Sequence, residues 1–192
     1  MALAEDRSRP LVVIVGGAPG TGKTTLAAPL AKTLELTLLS KDLIKESLMD
    51  SLGASDLATS QRIGSATWEL LYRVAGWLLD AGGGFIIEGN FGAQAREPLT
   101  RLASRSRAVQ ISCRCADSLS QERYERRSLA ADRHPGHMDG VRIARGQLAT
   151  SSFGPLDLGI PTLIVDTTDG YRPTLDQIVQ FVEGTGAGRD SS

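Results

Sequence analysis

Eight consecutive residues near the N-terminus have the types and spacing that bind phosphate. Residues 17–24 fit the pattern G-x-x-x-x-G-K-[ST] without a mismatch. Successive backbone N–H groups of such a loop surround phosphate oxygens, and the helix that follows adds its positive end. We expect Lys23 to reach the β- and γ-phosphates of a nucleotide, Thr24 to bind Mg²⁺ and Thr25 to contact the α-phosphate. The predicted phosphate-binding residues are Gly17, Ala18, Pro19, Gly20, Thr21, Gly22, Lys23, Thr24 and Thr25.

Two acidic residues follow apolar runs farther along the chain. Asp42 comes after the run 36–39, and we expect it near the γ-phosphate; alternatively, it caps the helix that begins there. Glu88 comes after the run 85–87, at the position from which nucleotide-binding domains hold Mg²⁺. Glu88 could instead orient a substrate hydroxyl or a water, or be an exposed residue at the end of a strand.

The segment from Arg105 to Arg145 is basic. It contains nine arginines and five acidic residues, a net charge of +4. Arg123, Arg126 and Arg127 are spaced by three and four residues, which puts them on adjoining faces of one helix. A permanently charged, planar guanidinium suits phosphate oxygens, although glutamates of the same helix offer surface ion pairs instead. Those glutamates are Glu122 and Glu125.

Alternating apolar and amphipathic runs must position these side chains. We predict strands at 11–15, 36–39, 85–87, 108–113 and 162–165, and helices at 23–34, 42–52, 58–80, 93–103, 117–131 and 175–183. Strands that alternate with helices favour an α/β domain with a parallel sheet covered on both faces. Ligands of such sheets bind at the carboxyl ends of the strands, which is where the residues discussed above occur.

Composition excludes several other classes of protein. The 192 residues suit one domain, and 21 basic against 22 acidic residues give a net charge of −1, unlike a basic nucleic-acid binder. No apolar run reaches the length of about 18 residues that spans a bilayer, and residues 1–10 are polar. The two cysteines are too few and too close together for a disulfide framework. We therefore expect a soluble, cytoplasmic protein without a membrane partner.

The phosphate loop, Asp42, Glu88 and the arginine-rich segment together resemble the P-loop small-molecule kinases, in particular the AAA domain kinases. Chloramphenicol phosphotransferase, polynucleotide kinase and the gluconate and shikimate kinases are wider relatives. The resemblance covers residues 11–181 and implies a three-layer fold with a five-stranded parallel sheet in the order 2-3-1-4-5. It also implies one domain with a core at 11–183, an acceptor-binding region at about 43–80 and an arginine-rich lid at about 117–150. The glycine-rich tail at 184–192 is expected to be disordered.

The resemblance implies roles for individual residues. Asp42 would deprotonate the accepting hydroxyl, and Arg123 and Arg127 of the lid would close over the transferring phosphoryl group. Thr167 ends the last strand, and the loop that follows would lie beside the adenine. Glu88 occupies a position at which relatives commonly have aspartate, and this difference leaves the role of Glu88 open.

Four residues are predicted to line the acceptor pocket. Arg62 and Trp68 belong to the region in which such kinases build this pocket, and Asn90 and Phe91 follow Glu88 into the same cleft. Aromatic residues at helical spacing are more often part of a core, so the identity of the acceptor stays open.

These observations predict an ATP- and Mg²⁺-dependent phosphotransferase that acts on a hydroxyl group of a small molecule, as a monomer or homodimer. A GTPase is disfavoured because the chain has no N/T-K-x-D motif. A non-catalytic nucleotide-binding module remains an alternative, and so, to a lesser degree, does a polynucleotide 5′-hydroxyl kinase. The slightly acidic remainder of the chain disfavours a long polyanion as substrate.

Overall fold

Five parallel strands form one sheet in the computed structural model, which describes residues 9–131, 133–144 and 153–185. The spatial order is β2-β3-β1-β4-β5, as predicted. The central strand β1 pairs with β3 and β4, and the side chains of residues 12–15 are fully buried. The strands are β1 (Leu11–Gly17), β2 (Thr37–Ser40), β3 (Phe85–Gly89), β4 (Arg107–Arg114) and β5 (Thr162–Asp166).

Helices cover both faces of this sheet. The helices are α1 (Lys23–Thr33), α2 (Lys41–Leu52), α3 (Leu57–Asp80), α4 (Arg96–Ser104), α5 (Asp117–Ser128), α6 (Asp139–Ala144) and α7 (Leu175–Gly184). Successive strand residues point to opposite faces. Val12 and Ile14 therefore pack in one apolar cluster with residues of α3 and α4, while Val13 and Val15 pack in a second cluster with residues of α1 and α7. The three-layer architecture is confirmed.

Some predicted boundaries were wrong. The helix expected at 93–103 is a 3-10 turn, Ala93–Ala95, followed by α4, and the helix expected to reach 131 ends at Ser128. The stretch that follows, for which no element was predicted, contains a 3-10 turn, Pro135–His137, and α6. These elements are too short to show a periodic pattern. Residues 132 and 145–150 of the predicted lid, residues 151–152 after it and 186–192 of the predicted tail lie outside the described residues.

The register of the sheet brings the ends of its strands to one edge. Ser40 pairs with Glu88, Gly16 with Gly89 and Gly17 with Cys113. The segments that follow β1, β2 and β3 therefore meet at the carboxyl edge, where α/β sheets bind ligands. Within the described part of the chain, no helix has both the length and the apolar character needed to cross a bilayer.

Candidate active site

The phosphate loop connects β1 to α1 through backbone conformations that suit glycine. Gly20 and Gly22 have φ values of 82° and 74°, in the region that side chains other than glycine rarely adopt. Thr21 Oγ1 donates a hydrogen bond to the Ala18 carbonyl at 2.8 Å and closes the loop on itself. Gly22 is the N-cap of α1 and contributes no side-chain cap. The first N–H groups of α1 therefore remain available to phosphate oxygens.

Gly20→Ala is expected to destabilise this loop, because a Cβ at Gly20 would lie 2.0 Å from the Ser120 carbonyl of α5 in addition to the positive φ. The expected loss in free energy of unfolding is about 1–2 kcal/mol or more, measured by denaturant titration. Gly76→Ala is the matched control, since Gly76 lies within α3 and a Cβ there would have no neighbouring atom within 4 Å. That substitution is expected to stabilise by about 0.5–1 kcal/mol. Equal effects of the two changes would contradict this account of the loop.

Lys23 places a buried ammonium inside the loop. The residue is 5% exposed, and Nζ donates to the Ala18 carbonyl at 3.4 Å. Burial lowers the pKa of Lys23 below its ordinary value, while the carboxylates of Glu88 and Asp42 act in the opposite direction. A cation held between a phosphate loop and two carboxylates is suited to contact β- and γ-phosphate oxygens.

Glu88, near the end of β3, connects the end of β2 to the start of α1. It is 2% exposed, which rules out the exposed strand-end interpretation. Its carboxylate accepts hydrogen bonds from Thr24 Oγ1 at 3.2 Å and from Ser40 Oγ at 2.8 Å. Hydroxyl and carboxylate oxygens are ligands that Mg²⁺ prefers, so Thr24 and Glu88 fit the predicted metal position. Ser40 was not predicted as a site residue. The only signal for it in the sequence was its position two residues before Asp42.

The described residues offer few further protein ligands for such an ion. Among the described residues, no group of three or more His, Cys, Asp or Glu side chains could hold a metal ion. A Mg²⁺ ion at Thr24 and Glu88 would therefore take further oxygen ligands from phosphates and water.

Asp42 is a first-turn residue of α2 and not its cap. The N-cap is Ser40, so the capping interpretation of Asp42 was wrong. Its carboxylate instead pairs with Lys41 Nζ at 3.1 Å. Burial opposes the charged form, but electrostatic attraction, to Lys41 above all and also to His137 and Lys23, outweighs it and holds the pKa of Asp42 well below its usual range. Asp42 is therefore an ionised carboxylate within electrostatic reach of the phosphate loop.

One cleft of about 500 Å³ opens beside the phosphate loop. Arginines of α5 face it across the loop, and no ion pair joins them to Glu122 or Glu125 in the part of the chain that the structure describes. Buried Arg127 Nε lacks a hydrogen-bond partner among those residues. An unmet buried donor costs about 1–3 kcal/mol, which an anionic ligand would offset. The lining residues are Gly20, Gly22, Thr25, Arg123, Arg126, Arg127, Ala130, Thr167, Gly170 and Tyr171.

Two residues in the wall of this cleft also connect neighbouring segments. Thr167 Oγ1 lies 2.8 Å from the Thr21 carbonyl and 3.1 Å from the Arg114 carbonyl, so its hydroxyl ties the phosphate loop to the end of β4. Arg123 Nη2 donates to the Thr168 carbonyl at 3.0 Å. Contacts of Thr167 and Arg123 with a cofactor stay predictions, but both side chains lie in the wall of the cleft.

A second cleft of about 500 Å³ lies toward α2 and α3. Trp68 lines this cleft, whereas Arg62 is exposed and is not in its wall. Buried Phe91 packs behind Trp68 with ring centroids 5.4 Å apart, and Asn90 Oδ1 is buried without a hydrogen-bond partner among the described residues. The lining residues are Lys41, Lys45, Ser60, Gln61, Gly64, Ser65, Trp68, Tyr72, Gln94 and Ala95.

The segment after α5 contacts α2 through charged side chains. His137 Nε2 lies 2.7 Å from Glu46 Oε1, and His134 Nε2 lies 2.9 Å from Asp50 Oδ1.

Arg133 forms two ion pairs in the same segment, one with the Glu46 carboxylate at 3.6 Å and one with the Asp139 carboxylate at 2.5 Å. These contacts connect part of the predicted lid to the helix that carries Asp42. Sequence reasoning missed them because the partners are more than 80 residues apart.

Three features together define a P-loop kinase fold: the order of the strands, the glycine-rich loop before α1, and the carboxylate at the end of β3 that accepts a hydrogen bond from Thr24. The chain belongs to the AAA domain family, whose profile matches residues 12–146.

Several proteins similar to this chain are described as kinases. A candidate kinase from Chloroflexus aurantiacus is 34% identical, with a TM-score of 0.78 over 93% of this chain and 98% of that one. A cytidylate kinase of Pyrobaculum neutrophilum is 27% identical over 184 residues, 90% of this chain and 95% of its own length. Shikimate kinase from Acinetobacter baumannii, solved with shikimate, is 14% identical with a TM-score of 0.52 over 98% and 100% of the chains, a likeness of fold alone.

Proposed function

We propose that this P-loop kinase transfers the γ-phosphoryl group of ATP to a hydroxyl group of a small molecule. The observation that carries the proposal is the presence of two clefts, one beside the phosphate loop and one beside the ion pair of Lys41 with Asp42. Gly20 and Thr25 line one cleft, and Lys41, directly before Asp42, lines the other. A non-catalytic nucleotide-binding module would have no use for a second cleft beside an ionised carboxylate.

We assign the steps of the reaction to residues of the phosphate loop, of α5 and of the start of α2. The acceptor oxygen forms a bond to the γ-phosphorus while the bond to the β–γ bridging oxygen breaks, its electron pair leaves with ADP, and the hydroxyl proton passes to Asp42. Lys23, Arg123 and Arg127 would neutralise the charge on the phosphate oxygens. Thr24 and Glu88 would hold Mg²⁺, which would supply further charge neutralisation when bound.

A second candidate is transfer to the phosphate of a nucleoside monophosphate. The likeness to a cytidylate kinase over 90% of the chain favours it. A phosphate oxygen is already ionised at neutral pH, so this reaction would not need Asp42 as a base. The requirement for Asp42 therefore separates the two candidates.

Phosphoryl transfer from ATP labelled at the γ-phosphate tests both. The purified protein is incubated with Mg²⁺ and, one at a time, with hydroxyl-bearing metabolites, nucleosides, antibiotics and nucleoside monophosphates, and the products are separated. A labelled phosphate monoester is expected, and chelation of Mg²⁺ is expected to abolish it. A labelled nucleoside diphosphate would support the second candidate instead. Release of inorganic phosphate alone, across the whole panel, would contradict both.

A further inference from the structure

Lys41 connects the second cleft to Asp42. It lines that cleft, and its Nζ donates a hydrogen bond to Asp42 Oδ1 at 3.1 Å. An ammonium group has three N–H donors. Among the described residues, the hydrogen bonds of this ammonium go to Asp42 alone, and 14% of the lysine side chain remains exposed. A molecule in the cleft can therefore accept a hydrogen bond from the same ammonium that contacts Asp42.

Packing at the end of β3 fixes the direction of the Lys41 side chain. Its Nζ lies over the ring of Trp68, 5.8 Å from the ring centroid. A Cβ at Gly89 would be 3.4 Å from Lys41 Cβ and 2.6 Å from Trp68 Cη2, so the strand leaves no room for these two side chains to move toward it. An ammonium held between an aromatic face and a carboxylate loses little freedom when it binds a ligand.

Helix stability does not explain a lysine at this position. Lys41 is the first residue of α2, where the positive end of the helix dipole disfavours a cation. Ser40, the N-cap, forms no side-chain cap and donates its hydroxyl to Glu88 instead. An ion pair between neighbouring, partly exposed side chains contributes little to stability. The position of Lys41 is therefore better explained by chemistry at the cleft.

The ion pair also makes Asp42 a weak base for as long as it lasts. Burial raises the pKa of Asp42, and the positive charge of Lys41 is the largest of the influences that lower it. A carboxylate with a low pKa takes a proton less readily than one with a pKa near the working pH. A hydroxyl between the two groups would accept a hydrogen bond from Lys41 and donate one to Asp42, so the ammonium would exchange a carboxylate oxygen for the hydroxyl oxygen.

We propose that Lys41 is a catalytic residue that binds the acceptor oxygen opposite Asp42. The hydroxyl proton passes to the Asp42 carboxylate while the hydroxyl oxygen forms its bond to the γ-phosphorus. The bond to the β–γ bridging oxygen breaks, and its electron pair leaves with ADP. Lys41 keeps its own proton and stabilises the negative charge that develops on the acceptor oxygen. This inference rests on the proposed function, because it assigns a second group to the same hydroxyl.

Kinetics with the acceptor identified in the panel above test the inference. Lys41→Met is expected to lower kcat by about 10–10²-fold, in line with the loss of a hydrogen bond from a charged group. The KM for ATP is expected to stay unchanged, since Lys41 is not among the described residues that line the first cleft. Lys41→Arg keeps a charged donor and is expected to retain more of kcat than Lys41→Met.

Chemical rescue separates a role in the reaction from a structural one. Lys41→Ala removes three methylene groups and the ammonium, and added n-propylammonium replaces those atoms. We expect n-propylammonium to raise kcat of this variant in a saturable manner. Tetramethylammonium has the same charge but no N–H donor, so it is expected to have no such effect. Lys32→Met removes an exposed lysine of α1 and is expected to keep the kcat of the unsubstituted protein.

Each outcome decides between the alternatives. A kcat of Lys41→Met within about threefold of the unsubstituted protein would overturn the inference and leave the proposed function standing. The same holds for a loss of kcat that neither Lys41→Arg nor n-propylammonium reduces, or for one that comes with an equal rise in the KM for ATP. The absence of a phosphorylated hydroxyl product across the whole panel would overturn the proposed function, and this inference with it.

Discussion

Lys23→Met is expected to lower kcat for phosphoryl transfer by about 10²–10³-fold, the range observed when a positioned group that stabilises transition-state charge is removed. Methionine has a similar length and no charge, so the loop would lose its buried cation without losing much packing. The rate is measured as formation of the phosphorylated acceptor at saturating ATP. A kcat within tenfold of the unsubstituted protein would contradict the role of Lys23.

Stability measurements separate this role from a structural one. Burial lowers the pKa of Lys23, so the unliganded fold disfavours the charged ammonium, and methionine should not lower the Tm. Lys32→Met, on the same helix but exposed, is the matched control and is expected to leave both kcat and Tm unchanged. Loss of activity together with a large loss of Tm in Lys23→Met would indicate a structural role instead.

Asp42→Asn is expected to lower kcat for a hydroxyl acceptor by about 10²–10⁴-fold, the usual contribution of a positioned general base. Asparagine keeps the shape of the side chain but cannot take the proton. Asp50→Asn changes another carboxylate of α2, exposed and paired with His134, and is expected to retain activity. Near-normal transfer to a hydroxyl by Asp42→Asn would contradict the assignment of the base; near-normal transfer to a nucleoside monophosphate would favour the second candidate.

The pH dependence of kcat follows from the surroundings of Asp42. Because Lys41, His137 and Lys23 hold its pKa well below the ordinary value, the carboxylate stays ionised as the pH falls. Its favourable contribution to stability is complete above the unfolded pKa of about 3.9 and is lost only as the pH falls through the lower folded value. Protonation of Asp42 should therefore cause no decline in kcat between about pH 8 and pH 5. A decline that is present in the unsubstituted protein and absent from Asp42→Asn would contradict this.

The phosphate loop could be recognised in the sequence because its chemistry is local. Residues 17–24 are consecutive, and their backbone supplies most of the site once β1 precedes them and α1 follows. The strand order could likewise be inferred from the resemblance, since β-branched runs alternate with helices along the whole chain. The boundaries of the elements were predicted less accurately than the strand order. The 3-10 turn before α4 and the short α6 depend on packing, which leaves no periodic pattern in the sequence.

The proposed acceptor side could not be worked out in the same way. Whether Trp68 belonged to the core or to a pocket depended on its neighbours in the fold: it packs close to Gly89 and also lines the second cleft. Arg62, chosen because it shares α3 with Trp68, is exposed, since the direction of a side chain follows from how the helix is rotated against the sheet.

By itself, the sequence therefore determined that this chain binds phosphate in a loop between a buried strand and a helix, because consecutive residues form that loop. The tertiary structure decided which distant side chains complete the site. It buried Glu88 between Thr24 and Ser40, which are 64 and 48 residues away, and it made Asp42 a partner of Lys41 instead of a helix cap. Contacts over such separations arise only when parallel strands align their carboxyl ends, and that alignment is a property of the folded sheet.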